Sequence, residues 1–392
     1  MIDPIPCKTG RNGSRYDVNT PSLILDLDAL ERNIARMANI QRSFGRDLRP
    51  HAKTHKCSRI ARMQIEAGAS GVCCATLDEA EVMAEAGIPG ILITSPITTS
   101  GKIERLVALA KRAPDTMLVA DHPGNVTLLG QAARRSGARL NLLVDVELGF
   151  GRTGVGSAED AVTLARAIGA EEGLSYAGIQ AYGGHLQHVV EYGARLEVAG
   201  KAGEYIAAVL ARLEASGLKA PLVTGGGTGT HAIDGRHCPF TENQAGSYVF
   251  MDADYRSVAF EEEEDWPFET ALFVQTAVIS NNGAASATTD AGTKAFALNG
   301  PRPVVVSPGL TGAGYDYSGD EHGRLTLAPG QRVELGQRIE CMVSHCDPTV
   351  VLYDHYHCVR GDTLVDIWPV DARGRRAYEL GGKHAGHLQE PA

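Results

Sequence analysis

The sequence predicts a (β/α)₈ barrel followed by a second, mainly antiparallel β domain. Two observations lead to this fold class. Eight short apolar runs of β-type composition alternate with helical patterns over the first two thirds of the chain, and the last third has many β-type runs with little helical periodicity. Continuously apolar strands are typical of a parallel sheet that is buried on both faces. The same elements also fit a doubly wound open sheet, which the pattern alone does not exclude.

The barrel is expected over residues 27–255, with one strand in each of the eight runs. These runs are, in chain order, "DLRPHAK", "GVCCAT", "GILITSP", "TMLVAD", "LNLLVDVE", "AGIQAYGG", "PLVTGGG" and "GSYVFMD". The stretches between them include "LDEAEVMAEAG" and "AGKAGEYIAAVLARLEASG", which have the apolar spacing of amphipathic helices. Each of these two helices is expected to end at its last glycine.

The β domain is expected to combine the two ends of the chain, residues 1–26 and 256–392. The acidic stretch "EEEEDW" marks the change of character, and "ALFVQTAVIS", "RPVVVSP", "RVELGQRIECMVSH" and "TLVDIWPV" follow it. The early run "PSLILDL" comes before the first barrel strand. We therefore assign it to the β domain, where the two ends of the chain would meet.

The composition is that of an ordinary globular protein, with 43% hydrophobic and 21% charged residues among 392. A formal net charge of −10 argues against nucleic acid as a partner, because phosphate binding requires a basic surface. The start "MIDPIPCKTGRNGSRYD" lacks the apolar core of a signal peptide, and no run is suited to span a membrane. The eight cysteines form no C-x-x-C pair. We expect a cytoplasmic protein with reduced thiols that acts on a small molecule.

Polar residues follow several of the predicted barrel strands, and the active site of such a barrel lies at those strand ends. Lys53 ends the first strand, Arg152 follows the fifth, and Tyr182 and His188 follow the sixth. The glycine-rich "GGGTGT" follows the seventh, and its backbone N–H groups could bind an anion. A tight turn without a ligand is the alternative, but the place after strand seven favours phosphate. We assign phosphate and cofactor binding here to Gly226, Gly227, Thr228, Gly229, Ser247 and Tyr248.

A lysine opposite a phosphate-binding loop suggests a Schiff base with pyridoxal phosphate, since a desolvated amine beside other cations becomes nucleophilic. His51, His55 and Lys56 stand close to Lys53 in the chain and could supply part of that field. The alternative is a lysine that only extends from a strand end into solvent, which is its commoner role. The position of Lys53 favours the functional interpretation.

The order of ten motifs resembles the D-threonine aldolase and D-serine dehydratase family of fold type III pyridoxal-phosphate enzymes, above all its D-threonine and 3-hydroxy-D-aspartate aldolases. The motifs are "TPSLILDLDALERNI", "RPHAKTHK", "GVCC", "GFGRTGV", "GIQAYGG", "GGGTG", "AGSYVFMDADY", "DAGTK", "DEHG" and "SHCDPT". The resemblance implies an alanine-racemase-like barrel with a C-terminal β domain and a homodimer. It also implies that Lys53 forms the Schiff base.

The motif "SHCDPT" holds His345 and Asp347 two positions apart, which on an extended strand would project to the same side as two metal ligands. The histidine of such a pair is usually only a hydrogen-bonded loop residue, but members of the family hold a metal at this motif. Dehydratase relatives tend to have cysteine in place of Asp347, so the carboxylate favours the aldolase. An imidazole with a carboxylate suits Mn, Mg or Co better than Zn. Cys346 lies between the two ligands and should point away.

The resemblance implies further roles. His188 matches a histidine of the aldolases and is the candidate base, with His185 as its nearby competitor. Arg152 and Tyr182 match residues around the cofactor ring. Two residues are assigned to substrate binding, namely His51 and Asp320. Asp320 matches an acidic residue that family members bring into the site. In a dimer, this residue could come from the partner chain.

One departure concerns the substrate. The aldolases usually have a glutamine where this chain has Ala75, and "TSPI" after the third strand also differs from their usual sequence. The group on the β-carbon of the substrate therefore stays open.

The predicted function is a metal-assisted aldolase that converts D-β-hydroxy-α-amino acids, such as D-threonine, to glycine and an aldehyde. The first alternative is a lyase that removes water or ammonia from D-serine or 3-hydroxyaspartate. The second is a noncatalytic pyridoxal-phosphate carrier with the same barrel. Carriers generally lack a second domain, so residues 256–392 argue against that alternative.

Overall fold

The computed structural model describes residues 8–261, 264–283 and 285–374, so the expected ends of the β domain at 1–7 and 375–392 lie outside the described residues. The strands are, in chain order, β1 (Ser22–Asp26), β2 (Asp47–Leu48), β3 (Val72–Cys74), β4 (Ile91–Ile93), β5 (Met117–Ala120), β6 (Leu140–Val146), β7 (Leu174–Ala181), β8 (Leu222–Gly225), β9 (Glu242–Asn243), β10 (Leu272–Ser280), β11 (Ser286–Thr289), β12 (Val304–Val305), β13 (Gly314–Tyr317), β14 (Gly323–Thr326), β15 (Arg338–Met342), β16 (His355–Arg360) and β17 (Thr363–Pro369).

The α-helices are α1 (Leu27–Ser43), α2 (Ser58–Glu66), α3 (Leu77–Glu85), α4 (Ser100–Arg112), α5 (Pro123–Ser136), α6 (Ala158–Ala170), α7 (Tyr192–Ala215), α8 (His231–His237), α9 (Ala253–Arg256) and α10 (Cys346–Val350). The predicted helices α3 and α7 are confirmed, and each is followed by a glycine in the left-handed conformation, Gly87 (φ 72°) and Gly217 (φ 75°). Among the described residues, no helix combines the length and apolar character needed to cross a membrane.

Strands β2 to β9 form one parallel sheet in the order β2-β9-β8-β7-β6-β5-β4-β3. Its two end strands are joined by a parallel bridge between His51 and Cys73. At this bridge the Ala52 N–H donates to the Cys73 carbonyl (2.8 Å), and the Cys73 N–H donates to the Pro50 carbonyl (2.8 Å). The bridge closes the sheet on itself. The predicted (β/α)₈ barrel is therefore confirmed, and the open sheet is excluded.

The eighth strand does not lie in "GSYVFMD", where the sequence predicted it. It is the polar β9, in which Glu242 accepts a hydrogen bond from Arg49 Nε (2.7 Å) and Asn243 donates one to Asp234 (3.2 Å). The apolar run instead contains a 3₁₀ turn at Ser247–Val249. Its side chains are buried between the barrel and the second sheet. An apolar run indicates that a segment is buried but not which structure it forms, because a buried turn can have the same composition as a buried strand.

The second sheet is mainly antiparallel and runs in the order β13-β14-β11-β10-β1-β16-β17, with β15 paired to β10 and β12 paired to β15. Strand β1 pairs antiparallel with β10 and parallel with β16, so it lies inside this sheet. One hydrophobic core includes apolar residues of α1, of the turn after β9 and of this sheet, such as Leu30, Phe250, Val274 and Tyr356. Through this core, the second sheet packs against the carboxyl ends of the barrel strands.

Candidate active site

The carboxyl ends of the barrel strands surround a cavity of about 400 Å³. Nine residues that the sequence singled out line this cavity, namely His51, Lys53, Ala75, Arg152, Tyr182, His185, His188, Ser247 and His345. Seven others line it for which the sequence indicated no role, namely Thr94, Ser95, Phe150, Gln180, Gly184, Gln244 and Tyr255. Most of them come from the barrel and its following loops, and His345 comes from the β-rich part. The site therefore forms where the two sheets meet.

Lys53 lies on a tight turn after β2. The Lys56 N–H donates to the Ala52 carbonyl (2.7 Å), and Lys56 has φ 48°, a left-handed conformation that a non-glycine residue adopts at a cost. The second sheet supports this turn, because the hydroxyl of Tyr356 donates to the His55 carbonyl (2.6 Å). The direction of the Lys53 side chain therefore depends on the packing of the two sheets.

The neighbouring lysine has a different environment. Lys56 is buried, and its ammonium forms an ion pair with Glu79. The other oxygen of Glu79 accepts the backbone N–H of Ala75 (2.7 Å). Lys56 is thus held in a structural pair, whereas Lys53 faces the cavity.

The Lys53 ammonium forms an ion pair with the carboxylate of Asp347. Burial alone would lower the pKa of Lys53, but the Asp347 carboxylate outweighs it, and the pKa of Lys53 is raised. Burial alone would raise the pKa of Asp347, but Lys53 and then His345 outweigh it, and the pKa of Asp347 is lowered. The predicted cofactor lysine and one predicted metal ligand are therefore in direct contact, although 294 residues separate them.

The expectation that His345 and Asp347 lie on an extended strand is wrong. Residues Cys346–Val350 form the short helix α10, and His345 is its N-cap. Pro348 lies in the first turn of this helix, where its missing N–H leaves no hydrogen bond unmade. That proline was the signal in the sequence that could have indicated a helix start. Cys346 is fully buried and does not line the cavity.

The glycine-rich loop lies buried beside the cavity. Gly226 has φ 69°, and a Cβ there would lie 2.3 Å from Asp234. The Thr228 hydroxyl oxygen accepts the Tyr248 N–H (3.1 Å), which joins this loop to the turn after β9. Of the six residues predicted to bind phosphate, Ser247 lines the cavity, while the other five do not.

The two candidate bases have different partners. Nδ1 of His188 lies 3.2 Å from a carboxylate oxygen of Asp254, and its ring packs at a tilt against Tyr255 with 4.9 Å between centroids. The ring of His185 instead stacks on Phe150 with 5.5 Å between centroids. Asp254 and Tyr255 end the motif "AGSYVFMDADY", in which the sequence indicated no role for either residue.

His51 lies beneath Lys53 as a neutral imidazole. Its Nδ1 accepts the backbone N–H of Lys53 (3.4 Å), and its Nε2 lies 3.2 Å from the hydroxyl oxygen of Thr94. Because that hydroxyl donates to the Cys74 carbonyl (3.3 Å), Nε2 is the donor. Burial and the charge of Lys53 lower the pKa of His51 well below its ordinary value. His51 can therefore donate a hydrogen bond at neutral pH without carrying charge.

A buried chain of amides forms the floor of the cavity. The side-chain NH₂ of Gln244 donates to the side-chain oxygen of Gln180 (3.2 Å), and the side-chain NH₂ of Gln180 donates to Asp145 (2.9 Å). At the cavity wall, the guanidinium of Arg152 lies over the ring of Tyr182, 5.1 Å from its centroid. These contacts hold the polar residues of the cavity in fixed orientations.

Asp320 is not brought to the cavity of this chain. Its side chain is 71% exposed and lies 3.6 Å from Lys294. Its assignment to the substrate site stays a prediction that requires a second chain.

The residues at the site fit pyridoxal phosphate. Lys53 offers the amine, and the buried backbone N–H groups of Thr228 and Gly229 donate to no other described group of the chain. Buried N–H groups without partners are the donors that a phosphate requires. The packing of Asp234 and Asn243 around Gly226 admits no side chain, so the conformation of this loop requires glycine at that position.

The fit to a metal ion is that of a site with two protein ligands. The imidazole of His345 and the carboxylate of Asp347 suit a divalent ion. Over the described residues, no group of three or more His, Cys, Asp or Glu side chains is arranged to hold a metal. The remaining positions would belong to substrate and water.

Comparisons with known proteins agree with this architecture. The family described as "Alanine racemase, N-terminal domain" matches residues 25–254, and a serine dehydratase domain matches residues 271–359. The chain is 39% identical to D-threonine aldolase of Arthrobacter sp. and 36% identical to 3-hydroxy-D-aspartate aldolase of Paracoccus denitrificans (strain Pd 1222), and each alignment covers 95% of this chain and 96% of the relative.

The crystal structure of D-threonine aldolase from Filomicrobium marinum superposes with a TM-score of 0.88 and 40% identity, covering 91% of this chain and 96% of that one. The resemblance that the ordered motifs indicated is therefore confirmed over nearly the whole chain. The chain belongs to the family of alanine-racemase-like proteins that includes D-threonine aldolase and 3-hydroxy-D-aspartate aldolase.

Proposed function

We propose that this protein is an aldolase that cleaves D-β-hydroxy-α-amino acids of the D-threonine type to glycine and an aldehyde, with pyridoxal phosphate and a divalent metal ion as cofactors. The observation that carries the proposal is the ion pair of Lys53 with Asp347, beside a cavity that Lys53 and His345 both line. A cofactor lysine beside a pair of metal ligands suits a reaction that needs both an electron acceptor and a Lewis acid. Similarity to two aldolases over nearly the whole chain supports the same chemistry.

Lys53 holds the cofactor through its amine, and the loop from Gly226 to Gly229 holds the phosphate. Arg152 and Tyr182, whose side chains pack on each other at the cavity wall, would lie against the cofactor ring and limit its movement. Pyridoxal phosphate, when bound, accepts the electron pair that is released at the α-carbon of the substrate.

His345 and Asp347 hold the metal, and we expect Mn, Mg or Co rather than Zn because one of the two ligands is a carboxylate. An ion at this position would supply a Lewis acid for the substrate β-hydroxyl. His188 takes the hydroxyl proton, either directly or through one water molecule. The O–H electron pair then forms the aldehyde C=O while the Cα–Cβ bond breaks.

Removal of water or ammonia from D-serine or 3-hydroxyaspartate is the second candidate function. The match of residues 271–359 to a serine dehydratase domain favours it. The carboxylate of Asp347 argues against it, because the dehydratases of the family tend to have cysteine there. The two functions differ in their products, which are glycine and an aldehyde in one case and a 2-oxo acid and ammonia in the other.

The proposal includes a homodimer in the cytoplasm, with a barrel at 27–255 and a β domain at 1–26 and 256–392. The exposed Asp320 supports the dimer, since a partner could bring it to the other site. All cysteines in the described part of the chain are free and buried, which supports a reducing compartment. Light scattering tests the dimer, and a fully active monomer would contradict it.

The experiment that tests the function is a product assay on a panel of D-β-hydroxy amino acids, with and without a chelator. Glycine and the matching aldehyde, formed only when metal is present, would support the aldolase. A 2-oxo acid with ammonia would establish the second candidate instead. The panel should include D-threonine and 3-hydroxy-D-aspartate, because Ala75 leaves the preferred β-substituent open.

A further inference from the structure

Asp254 contacts His188 but does not line the cavity. We propose that Asp254 is a positioning residue, which holds Nδ1 of the His188 ring and so directs Nε2 towards the β-hydroxyl of the substrate. This inference rests on the proposed function, because it requires His188 to accept a proton. It adds to that function the residue that would prepare the base.

The contact has the geometry that this role requires. The distance of 3.2 Å between Nδ1 of His188 and Oδ2 of Asp254 is within reach of an N–H···O hydrogen bond, and such bonds tighten when substrate binds. A neutral imidazole carries its hydrogen on one nitrogen and a lone pair on the other. A carboxylate beside Nδ1 keeps the hydrogen there and leaves the Nε2 lone pair free. Packing of the ring on Tyr255 restricts its rotation.

The Asp254 side chain is not needed as a helix cap. The N-cap of α9 is Asp252, whose Oδ1 accepts the Tyr255 N–H (2.9 Å). The other oxygen of Asp252 accepts the N–H of Cys346 (2.8 Å), between the two proposed metal ligands. The backbone N–H of Asp254 itself donates to the Ser344 carbonyl (3.1 Å). The short helix α9 therefore sets the position of His188 relative to the metal pair.

The same contacts separate His188 from its competitor. His185 stacks on Phe150, and among the described residues no carboxylate lies within ion-pair distance of its ring. The Glu147 carboxylate acts on His185 only from beyond that distance, and its oxygens accept the backbone N–H groups of Gly149 (2.7 Å) and Gly151 (2.8 Å), so no hydrogen bond to a carboxylate of the described chain selects the His185 tautomer. The carboxylate therefore favours His188 as the base.

The first test is a set of variants measured with saturating cofactor and metal. Asp254→Asn should lower kcat on the order of 10- to 100-fold with little change in KM, because the ring loses its preferred tautomer. His188→Gln should lower kcat at least as far. The double variant should match His188→Gln, because Asp254 acts only through His188. Asp354→Asn removes an exposed ion pair with Arg373 and should leave kcat unchanged.

The second test needs no activity. Nitrogen-15 NMR of histidine-labelled, cofactor-free protein, with His188→Gln used for assignment, should show the hydrogen of neutral His188 on Nδ1. Asp254→Asn should move it towards Nε2. The proposal is overturned if Asp254→Asn keeps the wild-type kcat and tautomer, or if the losses of the two single variants multiply in the double variant. If the wild type forms no glycine and aldehyde, the proposed function fails, and the NMR result still decides whether Asp254 orients the ring.

Discussion

Replacing Gly227 by alanine should weaken the binding of pyridoxal phosphate by about 10- to 100-fold. A Cβ at this position would lie 2.6 Å from Oε1 of Gln187, so the loop must move by about 0.8 Å to reach an ordinary contact of 3.4 Å. Gln187 is buried and cannot move aside, because its amide donates to the Thr230 hydroxyl (2.9 Å) and accepts the Thr230 N–H (3.2 Å). A displacement of this size removes roughly one N–H···O bond to phosphate. Such a bond to a charged acceptor contributes about 1.5–3 kcal/mol, and each 1.4 kcal/mol is about tenfold in affinity.

The assay is a titration of cofactor-free protein with pyridoxal phosphate, followed by its visible absorption. Gly101→Ala is the matched control, because a Cβ at that position in α4 meets nothing within 4 Å. Circular dichroism establishes that both variants are folded. If folded Gly227→Ala binds the cofactor as tightly as the wild type, the loop does not hold the phosphate and the reasoning is refuted.

Three further predictions follow from the same site. Lys53→Ala should lose the visible absorption of bound cofactor and its sensitivity to borohydride, whereas Lys56→Ala should keep both. Lys56→Ala should lose about 3–5 kcal/mol of stability in denaturant titrations, because the buried Glu79 keeps its hydrogen bond from the Ala75 N–H but loses its opposite charge. The opposite assignment of the absorption band would show that the wrong lysine was chosen. Chelation and Asp347→Ala should each abolish carbon–carbon cleavage, while the circular dichroism spectrum and the visible band of the cofactor persist. Asp347→Cys should shift the metal preference towards Zn. Cleavage of D-threonine by the metal-stripped protein at the untreated rate would contradict a catalytic role of the metal. Burial raises the pKa of Asp234 from 3.8 to about 7, so its neutral form stabilises the fold; this stabilisation is complete below pH 3.8 and is lost as the pH rises through about 7. The stability of the fold should therefore fall between about pH 4 and 7, where the unfolded chain has lost the proton and the folded chain still holds it. Asp234→Asn should flatten the fall in melting temperature over this range in cofactor-free protein, and an unchanged pH profile would count against a buried, titrating Asp234.

Much of the fold could be predicted from the sequence because its signals are local. Alternating apolar runs and helical spacings indicated seven of the eight barrel strands and the helices around them. The eighth strand was missed for a physical reason, since β9 is polar and is held by the pairs that Glu242 and Asn243 form inside the barrel. A polar strand two residues long leaves no periodic pattern to read.

Much of the candidate site was also predictable, because residues that follow parallel strands must meet at one end of a barrel. Lys53, Arg152, Tyr182 and His188 were placed by strand order, and all four line the cavity. The helical conformation of the H-x-D motif was not predicted. The five residues 343–347, which separate the buried end of β15 from Pro348, are too short a stretch to show which structure follows.

The tertiary structure decided which groups that are far apart in the chain come into contact. The ion pair of Lys53 with Asp347 and the contact of His188 with Asp254 arise because the second sheet and α9 pack on the open end of the barrel. The roles of Lys53 and Lys56 likewise separate only when Glu79 meets Lys56 in the folded chain. Local patterns report whether a side chain is buried and which element it belongs to, whereas the partner of a buried charge depends on how distant elements pack against each other.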